Sequence, residues 1–210
     1  MTRLDIFSDP VCPWCLIGMA NLERALQDAP AHLLEPHWHP FRLDPAIPAG
    51  GMDRQAWLRA KFPDPARLAA VHERLREVAA EAGITLDPDR PHIQPDTLDA
   101  HRLIYWAGIE GCQPRVVMAI LRAFWEEGRD IGKGSTLADI ASTCAMDRAT
   151  VLRLLAGDAD RDTVLTLESE ARRRGVRSVP TFIIGQTHVA SGAQPVGLWQ
   201  ELIASLAGEP

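Results

Sequence analysis

Strand-like patterning is confined to the two ends of this 210-residue chain, and a long stretch of helical periodicity separates them. Residues 3–8 alternate Leu4 and Ile6 with polar neighbours and carry Phe7 on the second face, which predicts a short strand. Asp9-Pro10 breaks it. Residues 13–28 then set Trp14, Ile17, Met19 or Ala20, Leu22, Ala25 and Leu26 on a broad apolar face, a helix that Pro30 stops. Residues 33–42 predict a second strand anchored by Trp38 and Phe41, with Pro36 and Pro40 pushing it to a sheet edge. Helices are expected over about 53–61, 64–82, 97–110, 114–128, 136–144, 147–156 and 160–174, punctuated by Pro, Gly and Asp. Asp96 or Thr97 is positioned to cap the third, and Ser135-Thr136 the fifth. Strand signals return at residues 178–185, turn at Gly185-Gln186 and run back over 187–191; residues 195–207 form a last amphipathic helix. The order β-α-β, helices, β-β-α predicts an α/β fold. It divides into core segments 1–52 and 175–210 and an all-helical insertion over 53–174.

Bulk properties exclude several function classes. A hydrophobic fraction of 46% and a charged fraction of 24% suit an ordinary globular protein. A chain this long buries a core without disulfide staples, so its four cysteines are not needed as a framework. With a net charge of −6, nucleic acid is not the expected partner. The densest basic cluster, Arg172-Arg173-Arg174 with Arg177, reads as a solvated helix end. No apolar run approaches the roughly 18 residues of a membrane span, and no basic segment with a long apolar run follows the initial Met. The expected location is the cytoplasm, where a close cysteine pair is more often catalytic or metal-binding than structural.

Cys12-Pro13-Trp14-Cys15 lies where the first strand gives way to the first helix. A helix N-terminus offers free N–H groups and a partial positive charge, and both favour a thiolate over a thiol. Pro13 suits the first helical position, where a missing N–H costs nothing. Cys12, the more N-terminal and more exposed sulfur, is the expected nucleophile, and Cys15, one turn inside, the resolving thiol. Trp14 is placed to meet substrate. A zinc site would need about four ligands; Cys112 and Cys144 are isolated on predicted helices, and His32, His37 and His39 complete no set, so no metal is expected. Cys112 and Cys144 read as inert helix residues. Gly132-Lys133-Gly134-Ser135 lacks the full phosphate-loop pattern and reads as a loop entering a helix. Pro180 opens an apolar strand in Val179-Pro180-Thr181, where both a trans and a cis bond fit.

Taken together, Ser8-Asp9-X-X-Cys12-Pro13-Trp14-Cys15 and the distant Val179-Pro180-Thr181-Phe182 resemble the DsbA-like branch of the thioredoxin superfamily, and more narrowly its FrnE-type cytoplasmic proteins. Further segments carry the resemblance: His39 to Leu43, Gly51 to Asp53, Thr97 to Leu103, Glu127 to Ile131 and Ser191 to Pro195. The resemblance implies a thioredoxin-like core with a helical insertion and a cis bond before Pro180. It also implies disulfide exchange with protein thiols or small disulfides, no bound cofactor, and glutathione as a redox partner. Pro13, Trp14, Val179 and Pro180 are then the candidate substrate-binding residues, and Asp99 and His101 candidate cleft residues; a capping or packing role is the first reading of these two, and stabilisation of a Cys12 thiolate by His101 the alternative. Leu16 stands where the family often has Tyr, and Asp96 where it often has Asn. The same branch holds glutathione-dependent isomerases and kappa-class transferases, which typically have serine in place of Cys12; such an enzyme is the alternative reading. A homodimer through exposed insertion helices fits this branch.

Overall fold

The computed structural model describes residues 1–27 and 33–208, so the expectations placed on Pro30 and His32 lie outside the described residues. A four-stranded sheet has the order β2-β1-β5-β6, formed by β1 (Thr2–Ser8), β2 (Leu34–Pro40), β5 (Thr181–Ile184) and β6 (His188–Ser191). β1 pairs parallel with β2, in register Ile6 to Trp38, and antiparallel with β5, in register Ile6 to Phe182. The parallel first unit and the closing hairpin stand as the sequence predicts. β1 lies between two partners that pair both its edges, and side chains on both its faces are covered: Leu4 and Ile6 are fully buried and Phe7 nearly so.

The turn between β5 and β6 puts Gly185 and Gln186 at φ values of 58° and 64°, with the Thr187 N–H donating to the Ile184 carbonyl at 3.2 Å. At the other edge, β2 carries its two prolines, and the Gln113 side chain blunts it. The Gln113 amide accepts from the Trp38 N–H at 3.0 Å and donates to the Trp38 carbonyl at 3.2 Å, as a further strand would.

Helix α1 (Pro13–Leu26) crosses the sheet and is buried at every position from Cys15 to Leu22. Helix α9 (Val196–Gly208) packs beside it and sets Trp199 edge-on to Phe182, with ring centroids 4.8 Å apart. Between β2 and β5 run α2 (Arg54–Lys61), α3 (Pro65–Glu81), α4 (Leu98–Ile109), α5 (Gln113–Trp125), α6 (Gly134–Thr143), α7 (Arg148–Ala156) and α8 (Arg161–Arg173). The stretch is not wholly helical: β3 (Met52–Asp53) and β4 (Ile93–Gln94) pair antiparallel. Two-residue strands have no period to detect. Gly51, at φ 72°, leads into this pair, where a side chain would meet Ile93 at 2.9 Å.

The caps are partly as expected. Asp96 Oδ1 accepts from the Leu98 N–H at 3.1 Å, whereas α6 starts at Gly134, so Ser135 and Thr136 sit inside its first turn rather than capping it. Cys112 and Cys144 occupy helix ends, not interiors.

Three arginines join the helices to one another and to the sheet. Arg102 is almost wholly buried on α4, where it donates to the Leu154, Gly157 and Ala159 carbonyls at 2.7 to 2.8 Å and to Asp99 at 2.8 Å. It thereby binds carbonyls at the end of α7 and in the turn that follows. The second is Arg42, just after β2, which donates to Glu168 on α8 at 2.9 Å and to Asp96 at 3.3 Å. Arg172 binds the same carboxylate at 2.8 Å and stacks its guanidinium 4.2 Å from the Phe41 ring centroid. Arg172 therefore belongs to a structural network, not to a solvated helix end.

Replacing Arg102 with Leu removes the donor to three part-buried carbonyls and to Asp99, and should cost about 2–4 kcal/mol in urea denaturation. Burial alone would raise the Glu168 carboxyl above its ordinary 4.5, but hydrogen bonds from Arg172 and Arg42 outweigh it and hold the group below that value. A lowered folded-state value stabilises the fold above the unfolded value, and this is lost as pH falls through the folded one. The Tm advantage of wild type over Glu168→Gln should be full near pH 7 and shrink below about pH 4.5.

Candidate active site

Chain geometry alone brings the two cysteines to the carboxyl end of β1. The strand stops at Ser8, and the connection Asp9–Val11 turns directly into α1, with Cys12 as N-cap residue and Pro13 at the first helical position. The Cys12 N–H donates to the Asp9 carbonyl at 2.9 Å, and the Cys15 N–H to the Cys12 carbonyl at 3.0 Å. All four cysteines are free thiols.

Cys12 keeps 3% of its surface exposed and Cys15 none, so the order of access is as expected but Cys12 is far more enclosed than sequence reasoning suggests. The cover comes from the far end of the chain, which sequence proximity does not reveal. The Val179–Pro180 peptide bond is cis, as the resemblance implies, and the Cys12 thiol donates to the Val179 carbonyl at 3.5 Å. Pro13 and Trp14 stay half-buried at the rim.

The approach of α1 to Pro180 depends on Gly18. A Cβ there would lie 3.2 Å from Pro180, 3.4 Å from Ala193 and 3.5 Å from Phe182. The Pro180 carbonyl accepts from the Gly192 N–H at 2.8 Å, and Asn21 Nδ2 donates to the Gln194 carbonyl at 2.9 Å. The segment Ser191 to Pro195 is thus fastened to both the proline loop and α1.

Burial pushes the Cys15 thiol well above its ordinary value of 9.0, and its hydrogen bond to Cys12 and the nearby Cys12 and Asp9 charges push the same way. The Asp9 backbone only partly offsets this. Cys15 is therefore held as a thiol.

Asp9 is the residue to which sequence reasoning gave no role. Its side chain is 1% exposed, with Oδ2 accepting from the Leu43 N–H at 2.7 Å and Oδ1 3.8 Å from His101 Nε2. Three of the quoted segments, from Ser8, from His39 and from Thr97, thus converge on one carboxylate. An acid three positions before Cys12 was the available signal. His101 is buried against Asp9, and Asp99 is occupied by Arg102. Trp125 holds the same connection from α5, its indole N–H donating to the Pro10 carbonyl at 3.1 Å.

Other candidate groups stay apart from this centre. His39 pairs with Asp5 at 2.6 Å and His37 with Glu35 at 3.2 Å. Among the described residues, no cluster of three or more His, Cys, Asp or Glu side chains could hold a metal ion, and no helix is long and apolar enough to cross a membrane.

The fold recurs in known proteins. Over its whole length the chain superposes with a TM-score of 0.88 on 92% of a probable DsbA oxidoreductase from Streptomyces coelicolor, SCO1869, at 28% identity. It superposes over 98% of its length on 96% of a 2-hydroxychromene-2-carboxylate isomerase, with a TM-score of 0.72 and 18% identity. The likeness to the cytosolic disulfide reductase DsbM from Pseudomonas aeruginosa, solved with glutathione, covers 98% of both chains, with a TM-score of 0.66 and 21% identity. At such identities the last two likenesses concern the fold alone. The model of the DSBA-like thioredoxin domain matches residues 3–204, and the chain belongs to that family.

Proposed function

We propose that this protein is a thiol–disulfide oxidoreductase that uses Cys12 and Cys15 on disulfides or thiols of proteins, or on glutathione, in the cytoplasm. The observation that carries the reading is the pairing of an N-cap cysteine, aimed at the Val179 carbonyl, with a fully buried second thiol one turn behind it. In the reducing direction the Cys12 thiolate attacks a substrate disulfide. Its S–S bond breaks, one thiolate leaves and takes up a proton, and Cys12 holds the other half as a mixed disulfide. Cys15 then gives up its proton and attacks the Cys12 sulfur. The Cys12–Cys15 disulfide forms and the second substrate thiolate departs, so two electrons have passed to the substrate. Two glutathione thiols return the pair to the dithiol. Run backwards, the sequence oxidises a substrate dithiol.

The FrnE-type motifs carry the cytoplasmic assignment and the glutathione partnership, and DsbM, a cytosolic disulfide reductase solved with glutathione, shares the fold. Pro13, Trp14, Val179 and Pro180 form the rim that a substrate chain would meet. A glutathione-dependent isomerase or transferase is the second reading, favoured by the likeness to the chromene-carboxylate isomerase. That reading requires no second thiol.

The two readings separate by mutation. Cys12→Ser should lower disulfide exchange by more than about a thousandfold, as loss of a covalent nucleophile does. Cys15→Ser should accumulate a mixed disulfide at Cys12, visible by mass analysis under non-reducing conditions. Full exchange activity in Cys12→Ser would remove the oxidoreductase reading. Glutathione-dependent isomerisation that survives Cys15→Ser would establish the second one.

A further inference from the structure

With a net charge of −6, the chain as a whole repels an anionic substrate. Its densest basic cluster, Arg172-Arg173-Arg174 with Arg177, nevertheless borders the redox centre. The end of α8 reaches from one wall of that centre to the other. On the β2 side, Arg172 donates to the Arg42 carbonyl, one residue before the Leu43 N–H that binds Asp9 at 2.7 Å. On the β5 side, Arg177 stands two residues before Val179, whose carbonyl lies 3.5 Å from the Cys12 sulfur. Two extended residues span at most about 7 Å, so Arg177 is held at the edge of the Cys12 surroundings.

The carboxylates of this neighbourhood already have partners. Glu168 binds Arg42 and Arg172, and Asp96 binds Arg42. Asp44, next to Leu43, takes the Trp57 indole N–H at 2.9 Å and faces Lys61 at 3.6 Å. Asp9 is buried and takes the Leu43 N–H. Arg173 has Glu170 at 3.7 Å, whereas Arg174 and Arg177 have no carboxylate partner among the described residues. Arg177 is exposed, and its Nη1 donates to the Arg172 and Val176 carbonyls. The negative end of the α8 dipole accounts for that nitrogen. Nε and Nη2 meet no acceptor among the described residues. Those two nitrogens form the edge of a guanidinium that takes a carboxylate through two parallel bonds. The fold thus pins one side of Arg177 and leaves the carboxylate-binding side open.

We propose that Arg177 is a specificity-determining residue of the redox centre, whose open Nε–Nη2 edge takes a carboxylate close to a substrate sulfur, so that Cys12 prefers anionic disulfides. Arg174, three residues earlier at the end of α8, adds a second positive charge. The inference rests on the oxidoreductase reading and deepens it by naming the substrate class. The exchange keeps its chemistry. The Cys12 thiolate bonds to one substrate sulfur, the substrate S–S bond breaks, and the other sulfur leaves with the electron pair and takes a proton from solvent. The arginine orients the disulfide and offsets the repulsion between an anionic reagent and an attacking thiolate.

The test uses three disulfides with the same two-carbon arms, ended by carboxylate, hydroxyl or ammonium: dithiodipropionate, hydroxyethyl disulfide and cystamine. Reduced protein in a Cys112→Ser background is mixed with each, quenched in acid and analysed by mass for loss of the free Cys12 thiol. Each rate is divided by that of dithiothreitol with the same disulfide, which removes differences between leaving groups. At low salt the normalised rate for the carboxylate should exceed that for the ammonium by about tenfold, and the ratio should shrink toward one in about 1 M salt. Arg177→Glu should lower the ratio about tenfold, while Arg177→Lys, which keeps the charge, should hold it above one. Arg174→Glu should lower it about threefold and carries the test if Arg177→Glu does not fold. Oxidised glutathione and an end-blocked peptide disulfide with Asp on each side of its Cys offer the same carboxylates from two sources. The one whose rate falls further in Arg177→Glu is the source that fits the rim. A purely structural Arg177 would slow all three reagents together and leave the ratio in place, which would overturn the proposal. A ratio of one or less in wild type at low salt would overturn it too, and both results leave the oxidoreductase reading standing. If none of the disulfides consumed the Cys12 thiol, that reading itself would fall.

Discussion

The bond between the Asp9 carboxylate and the Leu43 N–H, 2.7 Å long and part-buried, is the contact on which the geometry of the centre rests. It ties the exit of β1 to the exit of β2. Those two parallel strands then deliver their following segments to one place. The Asp9–Val11 connection can be short because it is held from several sides: by Leu43, by Trp125 at the Pro10 carbonyl, and by its own turn to the Cys12 N–H. With the connection fixed, α1 starts where its free N–H groups meet Cys12. A looser connection would leave the helix dipole and the cysteine without a defined relation.

The helices between the two halves of the sheet serve the same end. Arg42 and Arg172 clamp Glu168 and so seat α8 on the chain just after β2, one residue from the Leu43 amide. Arg102 anchors the α7–α8 turn to α4, the helix that brings His101 to Asp9. A site made of a few side chains is thus supported by charged groups some distance away, each occupied by backbone carbonyls or carboxylates. The far end of the chain closes the centre: β5 pairs with β1, which brings the Val179 carbonyl to Cys12, and Gly18 lets α1 come close enough for the two to meet.

Much of this was legible in the sequence because it is written in local patterns. The period of two in residues 3–8 and the helical period from Pro13 onward marked the strand–helix junction at the cysteines. Gly185-Gln186 marked the hairpin, since a tight turn there favours residues that tolerate positive φ. What stayed hidden depends on contacts distant in the chain. The enclosure of Cys12 comes from Val179, far away in sequence, and the roles of Asp9 and His101 come from their meeting across three segments. The β3–β4 pair is too short to carry a period. Asp99 reads as a partner of the site by its place at the start of α4, but a helical spacing of three gives it to Arg102.

The central claim is that Cys12 and Cys15 form a working redox couple. Equilibration of the protein in graded glutathione redox buffers, followed by acid quench and mass analysis of the peptides bearing both residues, tests it most directly. The account predicts a reversible, two-electron conversion between the dithiol and an intramolecular Cys12–Cys15 disulfide, with a midpoint that states which way electrons flow against the glutathione pool. A pair that stays reduced throughout, with glutathione bound but never exchanged, would contradict it.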